Sequence, residues 1–378
     1  MKNYLKAFKI IVSILLICTV FAGCGTRQNL KDLVIVEGIS IDNSDEKVKI
    51  NVQTLNVGMS SGVEKPEGNM TINTGAEGDT IIDAVSALSE SMSRQMFFGQ
   101  NKIIMFGREV CEKDFKDKVD YFLRSNDARA DVIICMVDGE ASSVLESGEN
   151  DAHVPVENIV SLISTGEDIG KSMYLMTEDL LNVYGDKTTD ISMPVLKLDE
   201  KSKTAKLSGI AIFRDDKLAK ILDEEETLGF AIIRGKVDNF LIEFESEKFG
   251  KIGVEVTNEY SKKHVKIVDG RVVFCVKING KLLINEMEKG ITNKINKNDM
   301  DQIASQAEQE LVRLCNKVFS VCQQNDSDSL RVGEYLAKSS PESYDLLAPD
   351  WKGYFKNVEL NVDVHLSQKK ISDNTQLD

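Results

Sequence analysis

The chain has 378 residues, 42% of them apolar and 28% charged, and a formal net charge of −15 at pH 7. So acidic a body repels phosphate backbones and anionic headgroups, which excludes nucleic acid as a partner and means that any membrane association must come from an anchor. The length is more than one hydrophobic core serves and predicts two or three domains.

Lys2, Lys6 and Lys9, with no acidic residue among them, precede a weakly polar-to-apolar run from Ile10 to Ala22. These are the n- and h-regions of an export signal. As a helix the run would reach only ~20 Å, short of the roughly 30 Å hydrocarbon core, so it predicts a leader and not a span. It ends in Phe21-Ala22-Gly23-Cys24. Two small residues before a cysteine resemble a bacterial lipobox, in which the thiol receives a diacylglyceryl group before cleavage on its N-terminal side. Residues 1–23 are therefore read as a lipoprotein signal peptide and Cys24 as the lipid attachment residue. The plainer alternative is a secretory signal with an incidental cysteine, and Phe21 stands where an aliphatic residue is commoner. Two acyl chains hold a soluble body stably at a bilayer, where one holds it marginally. Beyond Cys24 no apolar run approaches 18 residues.

The residues after a short polar tether, Leu33 to Asp42, read as a strand, Asn43 to Glu46 as a turn, and Val48 to Leu55 as a second strand, giving a hairpin with one buried face. Residues 58–69 read as a loop. Asp79 or Thr80 caps a helix whose apolar positions Ile81, Ile82, Val85, Leu88 and Met92 follow helical spacing. A strand at 102–107, a helix from about Cys111 to Arg124, a strand at 131–137 and a helix from Ala141 follow. Residues 155–185 read as helical at both ends. Ile191 to Leu198 is a strand whose Pro194 predicts an edge or irregular position. The charged stretch Asp199 to Lys203 is taken as the end of a first domain, 24–199.

Short strands at 205–213 and 217–221 and a helix capped by Asp223 form a small middle domain, 200–240. Residues 241–378 form the third. Strands between Phe240 and Met287, with turns expected at Asn258-Glu259, Val268-Asp269-Gly270 and Asn279-Gly280, read as an antiparallel meander. A long amphipathic helix opening at Asn298 lies on it, short helical turns follow, and Val358 to Leu366 alternates as a last strand. The fold class is α+β or mixed α/β, multi-domain, with mixed sheets packed against helices and a meander plus long helix at the C-terminal end.

No catalytic constellation emerges. Gly58-Met59-Ser60-Ser61-Gly62 matches G-x-S-x-G and follows a strand, but Pro66 and Gly68 come where a nucleophile elbow needs a helix. A surface hydrolase using Ser60 is thus the weakest reading. His153, His264 and His365 are scattered. Asp42 to Glu46 resembles half a calcium loop, but Lys47 and Gln53 stand where glycine and glutamate belong. Glu224-Glu225-Glu226 suits a helix N-terminus better than a metal. Catalytic, cofactor and metal residues are accordingly expected to be none. Cys111, Cys135, Cys275, Cys315 and Cys322 are odd in number, form no C-x-x-C and read as buried core thiols. Phe97, Phe98, Trp351, Tyr354 and Phe355 read as core aromatics, with partner contact as the alternative.

Several blocks together resemble one family. Cys24 followed by Asp32-Leu33-Val34-Ile35-Val36-Glu37-Gly38-Ile39-Ser40-Ile41-Asp42 is similar to the mature start of the Ger(x)C-type spore germination lipoproteins. Phe98 to Gly107 resembles the next marker, with Asn101 where histidine is usual. Tyr121-Phe122-Leu123-Arg124, Asp127-Ala128-Arg129-Ala130, and the stretch from Leu207 through Gly229 continue the match in order. The resemblance implies a three-domain mixed α/β fold without enzymatic activity. It further implies a C subunit of a nutrient germinant receptor, lipid-anchored at the outer face of the spore inner membrane beside membrane-embedded A and B type subunits. Of functional residues only Cys24 transfers. The alternative function is a substrate-binding lipoprotein of a transporter.

Overall fold

The computed structural model describes residues 32–55, 71–125, 129–147, 154–289 and 296–368. The leader, Cys24, the Ser60 motif, His153 and Asp127-Ala128 lie outside them.

β1 (Leu33–Ser44) lies in the middle of a nine-stranded mixed sheet, ordered β3-β2-β1-β5-β6-β7-β8-β9. The parallel centre is β1, β5 (Ile103–Gly107), β6 (Ile133–Val137) and β7 (Ser192–Leu198). Antiparallel flanks are β2 (Lys47–Leu55) with β3 (Thr71–Gly78) on one side, and β8 (Ala205–Arg214) with β9 (Lys217–Ile221) on the other. The short β4 (Gln95–Phe97) runs parallel to the first residues of β1.

Both faces of this sheet are covered. Ile104, Phe106, Ile134 and Met136 pack under α1 (Ile81–Ser91), α2 (Arg108–Lys113), α3 (Phe115–Arg124) and α6 (Thr177–Gly185). Ile103, Met105, Ile133 and Cys135 pack under α4 (Ala141–Leu145) and α5 (Pro155–Asp168). The period-two alternation of each strand thus fills two separate apolar layers. The hairpin expected to bury one face buries both along β1, because helices close over each side.

Other local expectations change as well. Thr80 is the cap of α1, its Oγ1 accepting the Asp83 N–H at 3.2 Å. The single helix expected from Cys111 breaks at Asp114 into α2 and α3. β7 is interior rather than an edge. It is still irregular near Pro194, pairing with β6 only at Val195 and Leu196 and shifting register there against β8.

The second sheet, ordered β10-β11-β12-β13, comprises β10 (Asn239–Ser246), β11 (Gly250–Val268), β12 (Arg271–Met287) and β13 (Glu359–Gln368). The first three form the meander, and β13 returns parallel to β12. Of the three expected turns only Asp269-Gly270 exists, with φ of 48° and 77°. Asn258 and Asn279-Gly280 face one another inside a continuous ladder, where a bulge lies between Asn258 and Tyr260. A Cβ at Gly280 would sit 2.7 Å from the Thr257 carbonyl oxygen, so glycine there serves close approach and not a turn.

α8 (Lys297–Gln324) lies on this sheet, capped by Asn296, whose side chain accepts the Asp299 N–H at 3.0 Å. Its buried stripe joins α7 (Glu224–Arg234), α9 (Val332–Ser339) and α11 (Trp351–Phe355) in one core, with α10 (Pro341–Leu347) alongside. Trp351 and Phe355 are each 1% exposed and belong to that core, which removes them from partner contact.

β8 serves both cores. Ala211 and Phe213 face the N-terminal core, while Ile210 and Ile212 face the C-terminal one. The boundary expected at 199 falls in the β7–β8 hairpin loop, where Asp199 N–H bonds to the Thr204 carbonyl, and that at 240 falls within β10.

Candidate functional site

Among the described residues the chemistry-bearing side chains proposed from sequence are each accounted for by local structure. Asp42 accepts the N–H groups of Ala141 and Ser142 at 2.6 and 2.9 Å, which caps α4. Burial raises its pKa against those two bonds. Glu226 closes a capping box with Asp223 and pairs with Lys220 at 2.8 Å. Glu225 receives Arg313 and Lys317, which hold its carboxyl down at about 2. The five cysteines are free and buried, and burial pushes the Cys315 thiol up to about 12. His264 and His365 lie on β11 and β13. No group of three or more metal-ligating side chains assembles among the described residues.

What the fold does assemble is a cavity of about 550 Å³ in the layer under α1 and α3. Its floor is Ile39, Ile104 and Ile134, one residue from each of β1, β5 and β6, placed side by side by the parallel register. Val85 of α1 and Val119 and Phe122 of α3 form the walls. The rim runs through Met92, Arg94 and Met96, on and before β4, where Gln95 pairs with Leu33 at the start of β1. The mouth therefore opens beside the first residues of β1.

The polar groups around the cavity, which include Ser89, Ser93, Gln95, Tyr121, Ser125 and Thr177 beside two arginines and Asn101, are unequal. Arg129 is spent on Asp131, to which it donates twice at 2.9 and 2.7 Å, and on the Gly99 carbonyl at 3.0 Å. The pairing with Asp131 holds that carboxyl below its usual range, and the bond to Gly99 reaches the turn before β5. Asn101 is 5% exposed and lines the cavity, and its Oδ1 has no hydrogen-bond partner among the described residues. Arg94 is exposed at the rim and makes no ion pair with another described residue.

No single segment of the sequence contains this site. The blocks singled out for their resemblance do carry a trace of it. Ile39, Phe98, Asn101, Ile104, Tyr121, Phe122, Leu123 and Arg129 come from four such stretches and all line one space. Glu37 and Lys102, from two of the same blocks, pair at 2.7 Å nearby.

Comparison with known proteins gives a consistent result. Residues 26–198 match the family described as spore germination protein N-terminal domain, and residues 208–371 match spore germination B3/GerAC like, C-terminal. Spore germination protein B3 of Bacillus subtilis (strain 168) is 22% identical over 90% of this chain and 92% of its own. Spore germination protein KC of the same organism is 20% identical over 93% and 92%. The solved structure titled Crystal Structure of the GerBC protein superposes with a TM-score of 0.57 at 18% identity, over 88% of this chain and 97% of that one. At that identity the superposition speaks to fold alone, and it agrees with the mixed, multi-domain α+β architecture. With two family domains matched in order along nearly its whole length, the chain belongs to the GerAC-type family of spore germination proteins.

Proposed function

We propose that this chain is a non-enzymatic C subunit of a nutrient germinant receptor. It is held by diacylglyceryl-Cys24 at the outer face of the spore inner membrane and takes part in receptor assembly or signalling beside membrane-embedded A and B type subunits. The observation that carries the reading is the ordered match of both family domains across residues 26–371. The acidic body favours a covalent anchor over adsorption to anionic lipid. No helix among the described residues is long and apolar enough to cross a membrane, so the tether before Leu33 is the natural route to the bilayer.

The test is Cys24→Ala in the native spore-former, with membrane fractionation and nutrient-triggered germination followed together. Loss of both is the expected result. Retention on the membrane with unchanged germination overturns the anchored-subunit reading.

A further inference from the structure

The geometry points to the cavity under α1 and α3 as a binding site for a small apolar monocarboxylate that also carries an N–H or O–H donor. The inference stands on the N-terminal sheet alone and does not depend on the receptor reading.

Size and lining set the body of the ligand. About 550 Å³ falls within the range of small-molecule pockets, and a floor of three in-register isoleucines with valine and phenylalanine walls suits an apolar group. Two polar residues set its ends. Arg94 is a rim guanidinium without an ion pair to another described residue, whereas the charge of Arg129 is already matched by Asp131. A planar guanidinium at the edge of an apolar cleft selects a carboxylate, which it can bind through two parallel N–H bonds. Deeper in, the Asn101 Oδ1 is a buried acceptor without a donor among the described residues. Such an atom is costly to leave unmade, and a ligand N–H or O–H satisfies it. The Arg94 charge at the mouth, the Asn101 acceptor inside and the apolar isoleucine floor between them define the class.

Met92 and Met96 both line the rim and give a direct readout. The full-length chain, with methionine methyls labelled with carbon-13, is placed in phosphatidylcholine nanodiscs and titrated with 3-phenyllactate while methyl resonances are followed by NMR. Met92→Leu and Met96→Leu assign the two signals. The expected result is displacement of those signals ahead of the other methionines, with 3-phenylpropionate, which lacks the hydroxyl, binding about tenfold more weakly. Arg94→Gln should weaken 3-phenyllactate binding by a further factor of about ten or more, while leaving the uncharged 3-phenylpropan-1-ol unaffected. Val85→Trp, which fills the cavity from its half-exposed wall, should abolish binding of all three. 2-Hydroxyoleate supplied in the nanodisc, which carries the same carboxylate and adjacent hydroxyl, distinguishes sources of the same chemistry. Displacement by 2-hydroxyoleate alone assigns the site to a membrane hydroxy fatty acid, and displacement by 3-phenyllactate assigns it to a free solute. No response of Met92 and Met96 to any of these at about 10 mM, or an affinity indifferent to Arg94→Gln, overturns the proposal.

Discussion

The carboxylate of Asp190, just ahead of β7, accepts the backbone N–H of Asp328 at 2.9 Å. Asp328 lies 138 residues further on, in the loop between α8 and α9, so this one bond ties the N-terminal sheet to the C-terminal core. Ser327 and Ser329 repeat the tie by donating to the carbonyls of Phe213 and Ile191 at 2.6 and 3.0 Å. Asp328 in turn accepts the N–H groups of Val332 and Gly333 and the indole N–H of Trp351, at 2.8, 2.7 and 2.8 Å.

A pH dependence follows from this junction. Burial pushes the Asp328 carboxyl up to about 7, despite three donors that favour the ion, and raises Asp190 in the same direction. Between an unfolded value near 3.8 and a folded value of about 7 the native chain keeps a proton that the unfolded chain has lost. Stability is then fully present below the unfolded value and falls as pH rises through that window. Thermal midpoints should drop from roughly pH 5 to roughly pH 8, and Asp328→Asn should flatten much of that slope while lowering the midpoint throughout. A wild-type midpoint that rises over this interval contradicts the account.

Gly229 of α7 lies against α8, where an added Cβ would stand 2.5 Å from the Leu314 carbonyl oxygen. That oxygen belongs to helix backbone and cannot move aside cheaply. Gly229→Ala should therefore cost about 1–3 kcal/mol in equilibrium denaturation, despite the better helix propensity of alanine.

Adjacent glutamates in α7 should behave differently. Glu226 is buried in its capping box, and Glu226→Ala should cost about 1–2 kcal/mol through the lost cap and the abandoned Lys220. Glu225 pairs with Arg313 and Lys317, but its side chain is half-exposed. Glu225→Ala should cost less than about 1 kcal/mol, and added salt should reduce that further. Comparing the two variants by urea denaturation at low and high salt checks both.

Cys111, Cys135, Cys275, Cys315 and Cys322 should be silent to a thiol-reactive chromophore in the native chain near neutral pH and react together once denaturant unfolds it. Their burial removes access, and where burial also lifts the thiol pKa, as at Cys315, it removes the reactive thiolate. Immediate reaction of any of the five would show that its part of the core opens independently.

Much of the fold is legible in the sequence wherever local pattern and tertiary setting agree. β5, β6 and the stripe of α8 follow from apolar periodicity, and Asp223 and its Glu226 partner announce the start of α7. Misreadings occur where one residue type serves two physical ends. Asn279-Gly280 carries a turn signature, yet its glycine accommodates a neighbouring strand. Pro194 suggests an edge, yet the sheet admits it by thinning the β6–β7 ladder. β3 escapes notice because Thr71 to Gly78 has little apolar content, being an edge strand held chiefly by pairing with β2. The cavity is illegible for a different reason: Ile39, Ile104 and Ile134 become neighbours only through strand register.

The placement of β1 has a mechanical consequence. Residues before Leu33 lead straight into a strand that is paired to β2 on one side and to β4 and β5 on the other, not into a sheet edge. A pull applied at Leu33 along the axis of β1 acts across its ladders, so many hydrogen bonds are sheared at once instead of being unzipped singly. Under the anchoring proposed at Cys24, the body can therefore bear a load applied ahead of Leu33 with its fold intact, shared across the sheet as a whole.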